Sequence, residues 1–165
     1  MKRGVCAGSF DLVTDGHLWV IENGLKLFDE LYVGIGVNPD KESKYMFSDE
    51  ERVRMMKACT EIFDGVKVEF IGKKYLADYA RKVDAQYLLR GFRDEDDITQ
   101  ELRLAHFNSK RAPEVITVFL TPPKELAELS SSFVKGLVGY EGWEEEVKKY
   151  LPEPSYKMLL EKVKR

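Results

Sequence analysis

Two textures alternate along the chain. Short apolar runs bounded by Gly, Pro or Asp occur at Arg3–Ala7, Leu31–Val37, Val66–Ile71, Tyr87–Leu89 and Val115–Leu120. Four of the five contain Val or Ile, and most are apolar on both faces, as strands buried inside a parallel sheet must be. Amphipathic stretches separate them. In His17–Phe28 the apolar residues Leu18, Ile21, Leu25 and Phe28 fall three or four apart, which puts them on one helical stripe. Ser48-Asp49-Glu50-Glu51 has the spacing of a capping box, in which Ser48 accepts a free backbone N–H and Glu51 returns the bond. The helix it opens turns Val53, Met56 and Cys59 inward. Further helices are predicted over Leu76–Val83, Asp97–Lys110 and Ser131–Leu137.

Strand and helix alternating from Arg3 to Leu120 predict an α/β fold, a doubly wound five-stranded parallel sheet covered on both sides. The tail differs. Trp143–Tyr150 and Ser155–Lys164 read as C-terminal helices separated by Pro152-Glu153-Pro154. Glu144/Lys148 and Glu145/Lys149 have i,i+4 spacing, so this charge run reads as a solvated helix face. No repeat, low-complexity tract or long linker divides the chain, and residues 1–165 are expected to form one domain.

Composition narrows the function classes. The 165 residues include 26 Lys or Arg and 29 Asp or Glu, a net charge of −3. No large basic field is available to attract nucleic acid or acidic lipid. A hydrophobic fraction of 44% argues against disorder. No apolar run approaches the roughly 20 residues that span a bilayer. Met1-Lys2-Arg3-Gly4-Val5-Cys6 turns into Gly, Ser and Asp too soon for a secretory signal. Cys6 and Cys59 lack CxxC spacing and read as buried free thiols of a cytoplasmic protein.

Ligands of doubly wound sheets bind beyond the carboxyl ends of the strands, where the strand order reverses. After the first strand come Ala7-Gly8-Ser9-Phe10-Asp11-Leu12-Val13-Thr14-Asp15-Gly16-His17. Gly8 admits close backbone approach, and His17 sits at a helix start over free N–H groups, a place for phosphate. Neither the GxGxxG of dinucleotide folds nor the Gly-Lys-Ser/Thr of a P-loop is present. On the residues alone, phosphate binding and a Gly-containing turn with a capping His both remain open.

Gly8-Ser9-Phe10-Asp11 with Thr14-Asp15-Gly16-His17 resembles the GTFDPxTxGH segment of nucleotidyltransferases with an (H/T)xGH motif. Three more segments resemble one family among them, the phosphopantetheine adenylyltransferases. They are Asn38-Pro39-Asp40-Lys41, Arg90-Gly91-Phe92-Arg93 with Glu101 eight residues on, and Ser130-Ser131-Ser132-Phe133-Val134-Lys135. The resemblance implies a Rossmann-like fold and transfer of adenylyl from ATP to 4′-phosphopantetheine, with Mg²⁺. The products would be dephospho-coenzyme A and pyrophosphate, formed by direct attack of the acceptor phosphate without a covalent intermediate. It also implies a homohexamer.

By the same resemblance, His17 donates to the α-phosphate, and Ser9, standing where Thr is usual, bonds acceptor and nucleotide phosphates beside the Phe10 backbone. Lys41 holds the acceptor phosphate. About two extra residues before Met46-Phe47 make Lys44 its rival. Arg90, at a strand end where an unpaired guanidinium needs an anion, becomes an acceptor-phosphate ligand. Gly91, Phe92 and Arg93 contact ATP, with a salt bridge to Asp94-Glu95-Asp96-Asp97 as Arg93's structural alternative. That acidic run is read as a dipole-favoured first turn, not a metal site. Glu101 accepts from the ribose, Leu126-Ala127-Glu128-Leu129 line the adenine pocket, and Ser130, Ser131 and Ser132 receive the β- and γ-phosphates. One serine is explained by an N-cap, but not three. Leu76 contacts the acceptor arm through backbone. Cys6-Ala7 and Leu12 replace the usual Tyr/Phe-Pro and Pro, which removes rigidity from the loop. His106 is read as an interior or interface histidine and Trp143 as structural. Rival readings keep the fold with nicotinamide mononucleotide, or glycerol phosphate with CTP, or make the chain a nucleotide sensor without catalysis.

Overall fold

The structure, a computed structural model, describes residues 1–164. Strands β1 (Arg3–Gly8), β2 (Glu30–Gly36), β3 (Val66–Gly72), β4 (Tyr87–Gly91) and β5 (Ile116–Leu120) form one parallel sheet in the order β3-β2-β1-β4-β5. The helices are α1 (Asp15–Gly24), α2 (Asp49–Thr60), α3 (Leu76–Lys82), α4 (Glu95–Arg111), α5 (Lys124–Ala127), α6 (Ser131–Leu137), α7 (Trp143–Val147) and α8 (Glu153–Val163).

Neighbouring residues of a strand enter different cores. Cys6 of β1 and Leu31, Val33 and Ile35 of β2 join one buried cluster, to which α1, α2 and α8 add Ile21, Met55, Met56 and Leu159. Val5, Tyr32 and Leu88 join the other, completed by Ala77, Tyr79 and Ala80 of α3. Period-two alternation with both sides apolar is what the near-continuous hydrophobic runs predict. Each fully buried aliphatic side chain contributes about 1.5–3 kcal/mol. Cys6 and Cys59 are buried free thiols, and burial pushes them up to about 11 and about 12.

The element boundaries move for local reasons. α1 stops at Gly24 rather than Phe28, because the chain there lies against β4: a Cβ on Gly24 would sit 2.5 Å from Leu89 Cδ2. The Leu27 and Phe28 N–H groups turn back to the Gly24 carbonyl, and Phe28 still reaches the core. β4 continues through Arg90 and Gly91. α4 begins at Glu95, capped by Asp94, whose side chain accepts the Asp97 N–H at 2.8 Å. α8 begins at Glu153, since Pro154 is tolerated in a first turn. The tail charges pair as Lys149–Glu146 and Lys157–Glu153, not as the i,i+4 pairs expected around Trp143–Tyr150. α5 and a 3₁₀ turn at Glu42–Lys44 are too short to leave a periodic signal. His106 is exposed, which overturns its interior reading, while Trp143 packs on the first core.

The topology positions the site. From β1 the chain builds outward through β2 and β3, then returns to the other side of β1 for β4. Order reverses at the β1–β4 pair, so the crevice opens over Gly8–Phe10 and Arg90–Arg93. α8 braces the loop beyond β1: the buried Ser155 Oγ donates to the Val13 carbonyl at 2.7 Å. Ser155→Ala leaves that carbonyl unpaired in the interior. It is expected to cost about 1–3 kcal/mol, read as a lower denaturation midpoint at unchanged m-value.

Candidate active site

The loop after β1 and the start of α1 form one wall of a cavity of about 720 Å³. Thr14 caps α1. Its backbone N–H donates to His17 Nδ1 at 3.0 Å, while its hydroxyl accepts the His17 N–H. Because Nδ1 accepts, the ring proton resides on Nε2. Burial, with the Arg93 charge second, lowers the His17 pKa to about 4, so the imidazole is a neutral N–H donor at pH 7. Capping and site placement are therefore the same arrangement, not alternatives. Phe10, at φ 47°, turns its buried ring edge-on to His17, with centroids 5.0 Å apart.

Ser9, Phe10, His17, Lys41, Lys44, Arg90, Gly91, Phe92, Arg93 and Glu101 all line this cavity, together with Leu126, Leu129 and the three serines. Ala127 and Glu128 do not line it; they belong to the turn of α5 and its C-cap. Leu76 lies in an adjoining cavity of about 610 Å³, which shares Ser9, Arg90 and Glu101 with the first.

The two arginines are already paired. Arg90, expected to lack a protein anion, is held by Glu101 through two bonds of 2.7 Å and donates to the Ala7 carbonyl at 3.0 Å. The Glu101 carboxylate, expected at the ribose, is thus engaged with Arg90 as a bidentate pair. Arg93 bridges to Asp97 at 2.7 Å, the structural alternative its neighbours offered. Arg93 and, at longer range, Lys41 hold the Asp97 carboxyl below its ordinary range. Lys41 and Asp97 line the same cavity. The serines divide their work: Ser130 caps α6 by accepting the Phe133 N–H, and Ser131 donates to the Leu12 carbonyl at 2.6 Å. Capping thus accounts for one serine, as expected, and a tether to the loop after β1 occupies a second.

Comparison with known proteins identifies the family. The cytidylyltransferase-like family model matches residues 5–136. Phosphopantetheine adenylyltransferase of Chromobacterium violaceum is 47% identical over 97% of this chain and 96% of its own. The Clostridium novyi enzyme of the same name is 40% identical over 86% of each chain. This chain belongs to the phosphopantetheine adenylyltransferase family. Nicotinic acid mononucleotide adenylyltransferase of Plasmodium falciparum, solved with NaAD, shares the fold at TM-score 0.72 and 16% identity, covering 98% of this chain and 96% of its own.

Several residues that hold this cavity together were assigned no role from sequence, although Asp11 and Lys135 lie inside the motifs. Asp11 is 3% exposed; it accepts the Met46 and Phe47 N–H groups at 3.0 and 2.9 Å and binds Lys135 Nζ at 2.6 Å. Arg52 is fully buried, donating to the Ser9 and Gly36 carbonyls and pairing with Asp49. The available signal was position: Arg52 shares the inward stripe of α2 with Met55, Met56 and Cys59. Mg²⁺ finds no cage of three His, Cys, Asp or Glu among the described residues, and Asp11 is already saturated. The side chains present do not fit a protein-held ion, so the chemistry below is derived from the chain's own groups.

The histidine makes a sign-definite prediction. His17 binds a proton in the unfolded chain near pH 6.5 but in the folded protein only near 4. Between those values the unfolded state carries more protons, so stability falls as pH drops through that window. The imidazole resonance that disappears in His17→Asn is expected to titrate near pH 4. A midpoint near 6.5 would show that the fold does not lower the His17 pKa and would remove this pH window.

Proposed function

We propose that this protein transfers adenylyl from ATP to 4′-phosphopantetheine, giving dephospho-coenzyme A and pyrophosphate, with Mg²⁺ accompanying the triphosphate. The observation that carries the reading is one crevice with a neutral, tautomer-fixed imidazole at its centre and two cavities meeting at Ser9 and Arg90. The His17 cavity suits the nucleotide. The adjoining one, lined by Leu76, Leu104 and Phe107, suits a pantetheine arm whose phosphate reaches Ser9, Arg90 and Lys41.

In the proposed step an oxygen of the acceptor phosphate forms a bond to the α-phosphorus of ATP. The bond from that phosphorus to the bridging oxygen breaks, and its electron pair leaves with pyrophosphate. The attacking phosphate is already anionic, so no side chain has to remove a proton from it. The protein's part is alignment and charge stabilisation. His17 Nε2–H would donate to the α-phosphate, and Arg93 would follow the charge moving toward pyrophosphate. The serines, Leu126 and Leu129 remain the proposed triphosphate and adenine contacts. The exposed Leu102 of α4, which lines neither cavity, offers a point that the proposed homohexamer would cover.

The deciding assay supplies MgATP with each acceptor in turn and follows pyrophosphate. Turnover is expected with 4′-phosphopantetheine. Turnover with nicotinamide mononucleotide alone would defeat the reading, and ATP binding without turnover on any acceptor would make the chain a sensor. His17→Ala is expected to lower kcat about 10²–10³-fold, the range for loss of one transition-state donor; a loss below tenfold would leave only the cap. Lys41→Ala is expected to raise acceptor KM or lower kcat far more than Lys44→Ala, because Lys41 follows Asn38-Pro39 at the interval of the family resemblance.

A further inference from the structure

Tyr45 lies in the loop between β2 and α2, half-buried at the edge of the nucleotide cavity. Its ring rests on the Arg52 guanidinium, 4.3 Å from the ring centroid. That guanidinium is immobile: it is fully buried and bonded to the carbonyls of Ser9 and Gly36. The phenol oxygen has two partners, the Asn38 N–H at 2.8 Å and the Ser9 hydroxyl at 2.9 Å. One anchored side chain thus touches the end of the 38–45 loop and the hydroxyl that the proposed function assigns to phosphate.

We infer that Tyr45 is a positioning residue that sets the direction of the Ser9 hydroxyl toward the acceptor phosphate; this inference rests on the function proposed above. The polarity follows from which groups can donate. The Asn38 N–H only donates, so the phenol oxygen accepts from it. A phosphate dianion only accepts, so a bound phosphate requires the Ser9 O–H to point at it. Ser9 cannot then donate to Tyr45, and the phenol O–H must donate to Ser9. The result is one directed chain, Asn38 N–H to Tyr45 O–H to Ser9 O–H to phosphate oxygen. Each bond polarises the next and strengthens the terminal donor. Arg52 beneath the ring holds the phenol in place through cation–π attraction and fixes the Ser9 backbone from the same side. No covalent bond changes in this relay; it orients a donor.

Tyr45→Phe keeps the ring on Arg52 and deletes only the hydroxyl. It is expected to raise acceptor KM about fivefold to tenfold, the loss of one hydrogen bond's worth of affinity, with ATP KM within about twofold. A hydroxyl that merely ties the loop end to Asn38 would do the same damage whatever stands at position 9. The discriminating readout is therefore the double-mutant cycle with Ser9→Ala. In the Ser9→Ala background, Tyr45→Phe is expected to change acceptor KM less than about twofold. Multiplying effects, an unchanged KM in the single variant, or an equal rise in ATP KM would each overturn the relay. Wild-type turnover of 4′-phosphopantetheine tests the proposed function separately. If that turnover is absent, the same four proteins titrated with inorganic phosphate decide the relay. Coupled Kd values would sustain it; independent values, or no phosphate binding, would overturn it.

Discussion

The site depends on one buried carboxylate. Asp11 follows the strand whose end opens the crevice, and it is almost sealed from solvent. A buried charge is tolerable only when its hydrogen-bonding capacity is met. Here two backbone N–H groups from the segment before α2 and the ammonium of Lys135 on α6 meet it. Three pieces of chain, distant in sequence, are thereby fixed around the loop that carries Ser9 and leads to His17. Removing any one partner leaves charge without compensation in the interior, so the three segments hold their places together.

Arg52 completes the arrangement from the opposite sign. Its guanidinium reaches the carbonyls at the ends of β1 and β2, next to the strand-order reversal, while Asp49 balances its charge. The cations nearer solvent follow different logic. Arg90 with Glu101 and Arg93 with Asp97 are held in bidentate geometry, so their side chains are ordered before any anion arrives. An incoming phosphate adds oxygens to guanidinium groups whose rotamer entropy is already lost. It must also share them with a carboxylate. His17 has the complementary property of carrying no charge at pH 7, so it adds a donor to the crevice and no further cation.

The parallel sheet was legible because strands buried on both faces leave unbroken apolar runs, and the α2 capping box formed as its spacing demanded. The residues that gather at the crevice were legible through resemblance, since His17 or Lys41 alone looks like a cap or a surface lysine. What stayed hidden was pairing. Nothing beside Arg90 announces that Glu101 pairs with it, because the partner arrives nearly two turns into the next helix and across a strand end. Nothing in Tyr45 announces Ser9, 36 residues away. The interior reading of His106 failed for a related reason: α4 covers the sheet with one stripe and leaves apolar residues on its outer side as well. A helix with apolar residues on two sides gives no sequence signal for which side faces inward.

The loop after β1 also shows how rigidity can be relocated. Leu12 stands where the family resemblance leads one to expect Pro, and a freer backbone results. The structure restrains that backbone by hydrogen bonds from outside it: Ser131 on the Leu12 carbonyl, Ser155 on the Val13 carbonyl, and the Asp15 N–H on the Tyr150 carbonyl. Two of these three tethers come from residues beyond position 136, where the cytidylyltransferase-like match ends. The C-terminal helices are therefore part of the mechanical support of the loop after β1. Their contribution is made before any substrate is present, by fixing the geometry in which the Thr14–His17 cap and the Ser9 hydroxyl meet.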